Sequence, residues 1–209
     1  MTTATPSASS PAMRAGIFIL LALVMLATRM NHFGAVPDAS WAVFFVAGFY
    51  LRGSVRWAFP LLMALAVLID FFVITGQGMN FWSHYCVSIA YWFLVPSYAA
   101  MWLGGSLLRK VYTGLHPREL GALVVLALVA TTACYLVSNG SFYWLSQSWI
   151  GANAPARSVG GWMTNLGDWY LPYLRTTLMY VGIATVTHVL AVLGAGVLAS
   201  GGSQQIAQR

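Results

Sequence analysis

The sequence predicts an all-α fold, an integral membrane bundle of six transmembrane helices, and three observations carry that expectation. Of 209 residues, 59% are hydrophobic and only 7% charged, against roughly 25% charged in a soluble domain. Mean hydropathy is +0.75. The few charged residues stand between apolar runs or at their ends, so the chain divides into helices of membrane-spanning length. The basic residues are also distributed unequally between the two faces those helices would define.

Residues 1–12 are small and polar and are expected to form a disordered tail ahead of a single transmembrane domain, residues 13–199. Helix one is expected over 13–30. Ser40 is a natural N-cap for a short aromatic helix two over 41–51, too short to span unless tilted against its neighbours. A basic turn with Arg52 and Arg56 leads into helix three, 55–75, which carries Asp70 near its far end. Helix four is expected over 84–108, kinked at Pro96. A second basic turn, with Arg109, Lys110, His116 and Arg118, precedes helix five over 119–138. A long loop, 139–168, is rich in Trp, Gly, Ser and Asn, and its aromatics argue against disorder. Helix six is expected over 169–199, before a polar tail, 200–209.

Six spans place both termini on one side. Arg14, Arg52, Arg56, Arg109, Lys110, Arg118 and Arg209 then share a face, and Arg29, Arg157 and Arg175 the other, so the termini are expected in the cytoplasm. The net charge of +6 is a topology signal rather than a nucleic-acid footprint, because no basic patch forms. The lipid bilayer is the expected partner, and nucleic acid is not. His32, Asp38, Asp70, Cys86, the long loop and Asp168 all gather on the outer face, as in a protein that captures something from outside.

A carboxylate at the depth of Asp70 must be paired, line a wet cavity or be protonated. Arg29 and Arg175 lie at similar depths, so an ion pair stapling three helices and a direct ligand role are both open. Cys86 opens helix four in this reading, where the helix dipole would favour the metal-binding thiolate; the alternative is a small buried apolar residue. Cys134 stands close enough in height for a bridge to Cys86 to be conceivable, with mid-helix packing the expected role. His32 and His84 are outer-face imidazoles, but no HxxxH, CxxC or HxxE spacing links them, so no protein-only metal site is expected. A metal brought by the ligand fits better. His188 is expected to hydrogen-bond inside the bundle, and His116 to sit in the cytoplasmic turn. The aromatics of the long loop, Tyr143 among them, would make rigid walls for a large, partly apolar ligand. No Walker A, GxGxxG or GxSxG motif occurs, so an energy source would have to lie elsewhere. Ala191, Ala195 and Ala199 form a small-residue stripe expected to pack within the bundle.

Six helices in about 200 residues with cytoplasmic termini, no ATPase motif and long outer loops resemble the substrate-binding S-components of energy-coupling-factor (ECF) vitamin transporters. The segments Arg29-Met-Asn-His-Phe-Gly, Pro37-Asp38-Ala39-Ser40-Trp41 and Cys86 to Tyr91, with Asp70, are more specifically similar to the BtuM-type vitamin B12 transporters of Gram-negative bacteria. The resemblance implies an inner-membrane protein that binds cobalamin from the periplasm with Cys86 as an axial ligand of its cobalt. It implies inward transport, with Cys86-dependent decyanation of cyanocobalamin, by a protein able to work without a dedicated ECF energising module. By the same resemblance His32, Asp70, Tyr91 and Arg157 are pocket residues. Helix one lacks the AxxxA pattern with which many S-components dock on their coupling subunit. The competing readings are a carrier of another small molecule with a structural Cys86, a membrane enzyme using Cys86 with His84 or His32 as nucleophile and base, and a purely structural subunit.

Overall fold

The computed structural model describes residues 10–30, 36–84, 87–146 and 157–207, with side chains described up to residue 197. Among these residues the chain forms six α-helices: α1 (Pro11–Arg29), α2 (Ser40–Tyr50), α3 (Val55–Gly76), α4 (Leu94–Val111), α5 (Pro117–Leu145) and α6 (Val159–Ala207). Three short 3-10 segments, Arg52–Ser54, Phe81–Ser83 and Ile89–Phe93, join them. Four stretches, Pro11–Arg29, Arg52–Gly76, Pro117–Leu145 and Val159–Val197, are long and apolar enough to cross a membrane.

Helix α2 is the hub. Its 11 residues rise only about 16 Å, half the hydrocarbon thickness of a bilayer, and nine of them are buried. Such a helix is apolar on every side because every side faces protein. Its closest partner is α4. A Cβ on Gly48 would strike the backbone of Trp102, and one on Gly105 would strike the carbonyl of Phe45. Ser106 Oγ donates to the Gly48 carbonyl at 3.1 Å. Glycine is needed here for close backbone approach, the mode by which membrane helices gain packing energy where lipid supplies no hydrophobic drive. Phe44 stacks on Tyr98 at 4.4 Å between ring centroids, extending the same seam.

Several boundaries differ from the sequence expectation. Helix α1 begins at Pro11, with Ser10 capping it through Met13 N at 3.2 Å, so residues 10–12 belong to the helix entry rather than to a tail. The helix expected from His84 begins as an α-helix only at Leu94, after a 3-10 turn. Pro96 therefore stands in the first turn of α4, where a missing N–H breaks no helical bond, and not at a mid-helix kink. Helix α5 runs on to Leu145 and α6 starts at Val159, so much of the expected long loop is helical. Tertiary partners override the glycines and asparagines that suggested a loop. Asn139 donates to Asn165 Oδ1 at 2.7 Å, and Trp162 Nε1 donates to Asn139 Oδ1 at 3.1 Å, which zips the ends of α5 and α6 together.

Helix α6 is the least buried element, with 6% of its apolar window covered. The expected packing of its alanine stripe within the bundle does not occur: Ala191 and Ala195 are exposed, and Ala199 lies beyond the described side chains. With 49 residues the helix is about 73 Å long, more than twice the hydrocarbon core, and this part extends past the neighbours it could pack against.

Replacing Gly105 by alanine should lower folded-state stability by about 1–3 kcal/mol, an overpacking cost, because the clash is with backbone. Gly121→Ala, where the added methyl meets nothing within 4 Å, should be neutral or stabilising. Thermal unfolding of the detergent-purified variants measures the contrast.

Candidate functional site

Arg29, the last residue of α1, is 8% exposed and sits in an acceptor cage drawn from four segments. Its Nε and Nη2 donate to Asp70 Oδ1 and Oδ2 at 2.7 and 2.6 Å, a fork that suits a planar guanidinium. Its Nη1 donates to Asp38 Oδ2 at 2.9 Å, Tyr98 Oη at 3.0 Å and Ser40 Oγ at 3.2 Å. Asp38 in turn accepts at Oδ1 from Ser40 N and Oγ, at 2.9 and 2.6 Å, and so takes over the capping of α2. Tyr91 donates its hydroxyl to Asp70 Oδ2 at 2.7 Å. Asp70 is 7% exposed and lies far inside α3, so the pair is a requirement of burial.

Of the two basic partners open to Asp70 in the sequence, the structure selects Arg29. Arg175 is exposed on α6. The pairing joins more of the bundle than three helices: α1, α3, the entry to α2, α4 and the turn before it all contribute.

This network floors a cavity of about 410 Å³. Trp41, Tyr135, Phe142, Trp169 and Tyr173 wall it, and Asn139, Asn165 and His84 contribute polar atoms. Trp41 stacks on Tyr173 at 4.9 Å, which orients both rings. Among the described residues one guanidinium faces two carboxylates here, so acidic groups outnumber the basic one at the floor. A ligand presenting N–H donors or positive charge suits such a floor, and an anion does not.

Asp70 and Tyr91 come together as cavity residues. Tyr143 and Arg157 are placed apart from it. Tyr143 donates to the Ser158 carbonyl at 3.0 Å, and Arg157 donates to the carbonyl of Trp144 at 2.6 Å and to that of Ser146, a cation closing the C-terminus of α5. Both are exposed or partly exposed at the α5–α6 junction. His32 and Cys86 lie outside the described residues. Helix α4 itself begins at Leu94 rather than at the expected His84. Cys134 is a free, fully buried thiol of α5.

Sequence reasoning passed over Ser40 and Tyr98 as members of the site and did not pair Asp38 with Arg29. A signal for Tyr98 existed: Tyr91, Leu94 and Tyr98 follow the i, i+3, i+7 rule of one helical face, and all three line the cavity. Among the described residues no group of three or more His, Cys, Asp or Glu could hold a metal ion. No protein-family model matches the sequence, and no curated protein does.

Asp70→Asn should cost about 3–5 kcal/mol, because it leaves the buried Arg29 guanidinium without its charged partner. Tyr91→Phe removes a single hydrogen bond and should cost about 1–2 kcal/mol. Thermal unfolding of the two variants side by side checks the order.

Proposed function

We propose that this protein is an inner-membrane transporter of the BtuM-like kind, which takes cobalamin or a related corrinoid at its outer face and moves it into the cytoplasm. The observation that carries this reading is the aromatic cavity of about 410 Å³ with its acidic, hydrogen-bonded floor. His84, two residues before Cys86 in the sequence, lines the cavity, and so does Tyr91, five residues after it. A volume of that size lies in the range of pockets for drug-sized ligands, so a corrinoid would enter by one face or edge and stand out at the mouth. Its peripheral amides would offer N–H donors to the acidic floor, and its ring would rest against Trp41, Trp169 and Tyr173.

In this reading Cys86 supplies a thiolate to the cobalt of the bound corrinoid. A strong thiolate donor weakens the hold on a ligand opposite to it, which is the chemical basis for loss of cyanide from cyanocobalamin. In this reading the chain crosses the membrane six times, α2 completing its short span with the residues that flank it, and both termini are cytoplasmic. Nothing in the described residues supplies an energy source, and an ECF-type module is a compatible partner rather than a required one.

Protein purified from cells grown with cyanocobalamin should carry corrinoid bands in its visible spectrum, displaced from those of the free vitamin. In Cys86→Ala the bands should revert to those of free cyanocobalamin or disappear. A colourless wild-type protein overturns the corrinoid reading and leaves a carrier of another small molecule. A coloured Cys86→Ala protein with the wild-type spectrum overturns the ligation alone.

A further inference from the structure

A second cavity, of about 380 Å³, opens at the other end of the bundle, between the C-termini of α2 and α4, the start of α5 and the middle of α6. Its walls are apolar and aromatic, with Phe45, Phe49, Leu108, Leu123 and Val181 prominent. His188 crosses one side, held between Tyr50 and Tyr112, whose hydroxyls lie 2.6 Å from Nδ1 and 2.7 Å from Nε2. Neutral imidazole has one donor and one acceptor, so one tyrosine gives it a proton and the other receives one, and the triad is internally satisfied.

Two charges at this cavity are not satisfied in that way. Glu119, in the first turn of α5, lines it and is 8% exposed. Its Oε1 accepts from Thr113 Oγ1 at 2.5 Å, while its Oε2 is buried with no hydrogen-bond partner. The hydrogen bond from Thr113 holds its carboxyl below the ordinary range, with smaller contributions from His116 and Arg118. Arg109 stands beside the cavity rather than in its wall: it lies over the rings of Phe49 and Tyr112, which do line it, at 5.5 and 5.9 Å from their centroids, and forms no ion pair among the described residues. Burial raises the Tyr112 phenol above its ordinary range, with Arg109 opposing and Glu119 reinforcing the shift, so both charges act on the same ring. They do not pair with each other.

A carboxylate oxygen without a hydrogen-bond donor in an apolar cavity, and a guanidinium over two of the rings that line it, complement a zwitterionic headgroup with an alkyl chain. We infer that this cavity binds a membrane phospholipid with a primary-amine headgroup: its acyl chain between α2, α5 and α6, its phosphate at Arg109, and its ammonium at Glu119 Oε2. The ammonium supplies the donors that Oε2 lacks, and the phosphate the acceptors that suit a guanidinium. Both partners come from the bilayer in which four of the helices are suited to lie. The site is independent of the ligand of the outer cavity.

The test uses the full-length protein in detergent, equilibrated with equimolar phosphatidylethanolamine, phosphatidylcholine and phosphatidylglycerol of matched chains, with retained lipid counted by native mass spectrometry. Wild-type protein should retain phosphatidylethanolamine roughly tenfold over phosphatidylcholine, the worth of one charge-assisted hydrogen bond to an amine N–H. Glu119→Gln should lose that preference while keeping the phosphatidylcholine level of wild type, which also shows that it is folded. Arg109→Gln should lower retention of all three, and Ala184→Trp, which fills the cavity, should abolish it. Equal retention of the three lipids by wild type, a preference for phosphatidylglycerol, or a Glu119→Gln protein with the wild-type preference would each overturn the assignment.

Discussion

A guanidinium that cannot be deprotonated, fixed at the buried end of a membrane helix, must find its acceptors inside the protein. Among the described residues Arg29 finds them in Asp70, Asp38, Ser40 and Tyr98. The constraint is mutual, since Asp70 would be equally costly without Arg29 and Tyr91. One charge thus sets the relative heights of α1, α3 and α4 and the place where α2 begins. Replacing the cluster by apolar side chains could preserve packing, but it would remove the acidic floor of the cavity beside it. The ionic cluster is therefore better explained by the site than by stability alone.

The two interfaces of the bundle are made differently, and that difference places the cavities. Helices α2 and α4 meet through Gly48 and Gly105, backbone against backbone, leaving no space between them. Helix α6 is joined by separate polar links: Tyr180 to the Pro37 carbonyl at 2.8 Å, Tyr135 to the Leu166 carbonyl at 2.8 Å, Tyr170 to Thr132 at 2.8 Å, and His188 to its two tyrosines. A helix held at points stands off between them. Both cavities open along α6, one near its start and the other near its middle.

Hydrophobicity and charge placement made the helical membrane character legible, because burial in lipid requires long apolar runs whatever their partners. Helices α1, α2 and α3 were legible to within two residues at each end. The ends of α5 and α6 were not: Asn139, Gly140 and Asn165 have the composition of a loop, and their helical state depends on amide pairs between segments far apart in sequence. The start of α4 failed for the opposite reason. An apolar stretch after Tyr85 reads as helix, yet Ser88 is extended and the turn from Ile89 to Phe93 is tighter than α. Asp70 was legible as a residue in need of a partner; which arginine supplies it depends on how helices rotate about their axes, as the exposed Arg175 illustrates. Tyr143 and Arg157 had the right chemistry for a pocket and are occupied instead in joining α5 to α6.

Between the cavities lies a layer with no room for a ligand. Phe44, Met101, Thr131 and Cys134 are fully buried there, and Phe45 of α2 lines the basic-end cavity while packing against Gly104 and Gly105. The α2–α4 seam cannot open without pulling apart close backbone contacts along its whole length. Separation of α6 from α5 and α2 breaks only a handful of hydrogen bonds and exposes side chains that lipid can cover. The mechanical asymmetry of the bundle thus makes α6 the element whose displacement costs least.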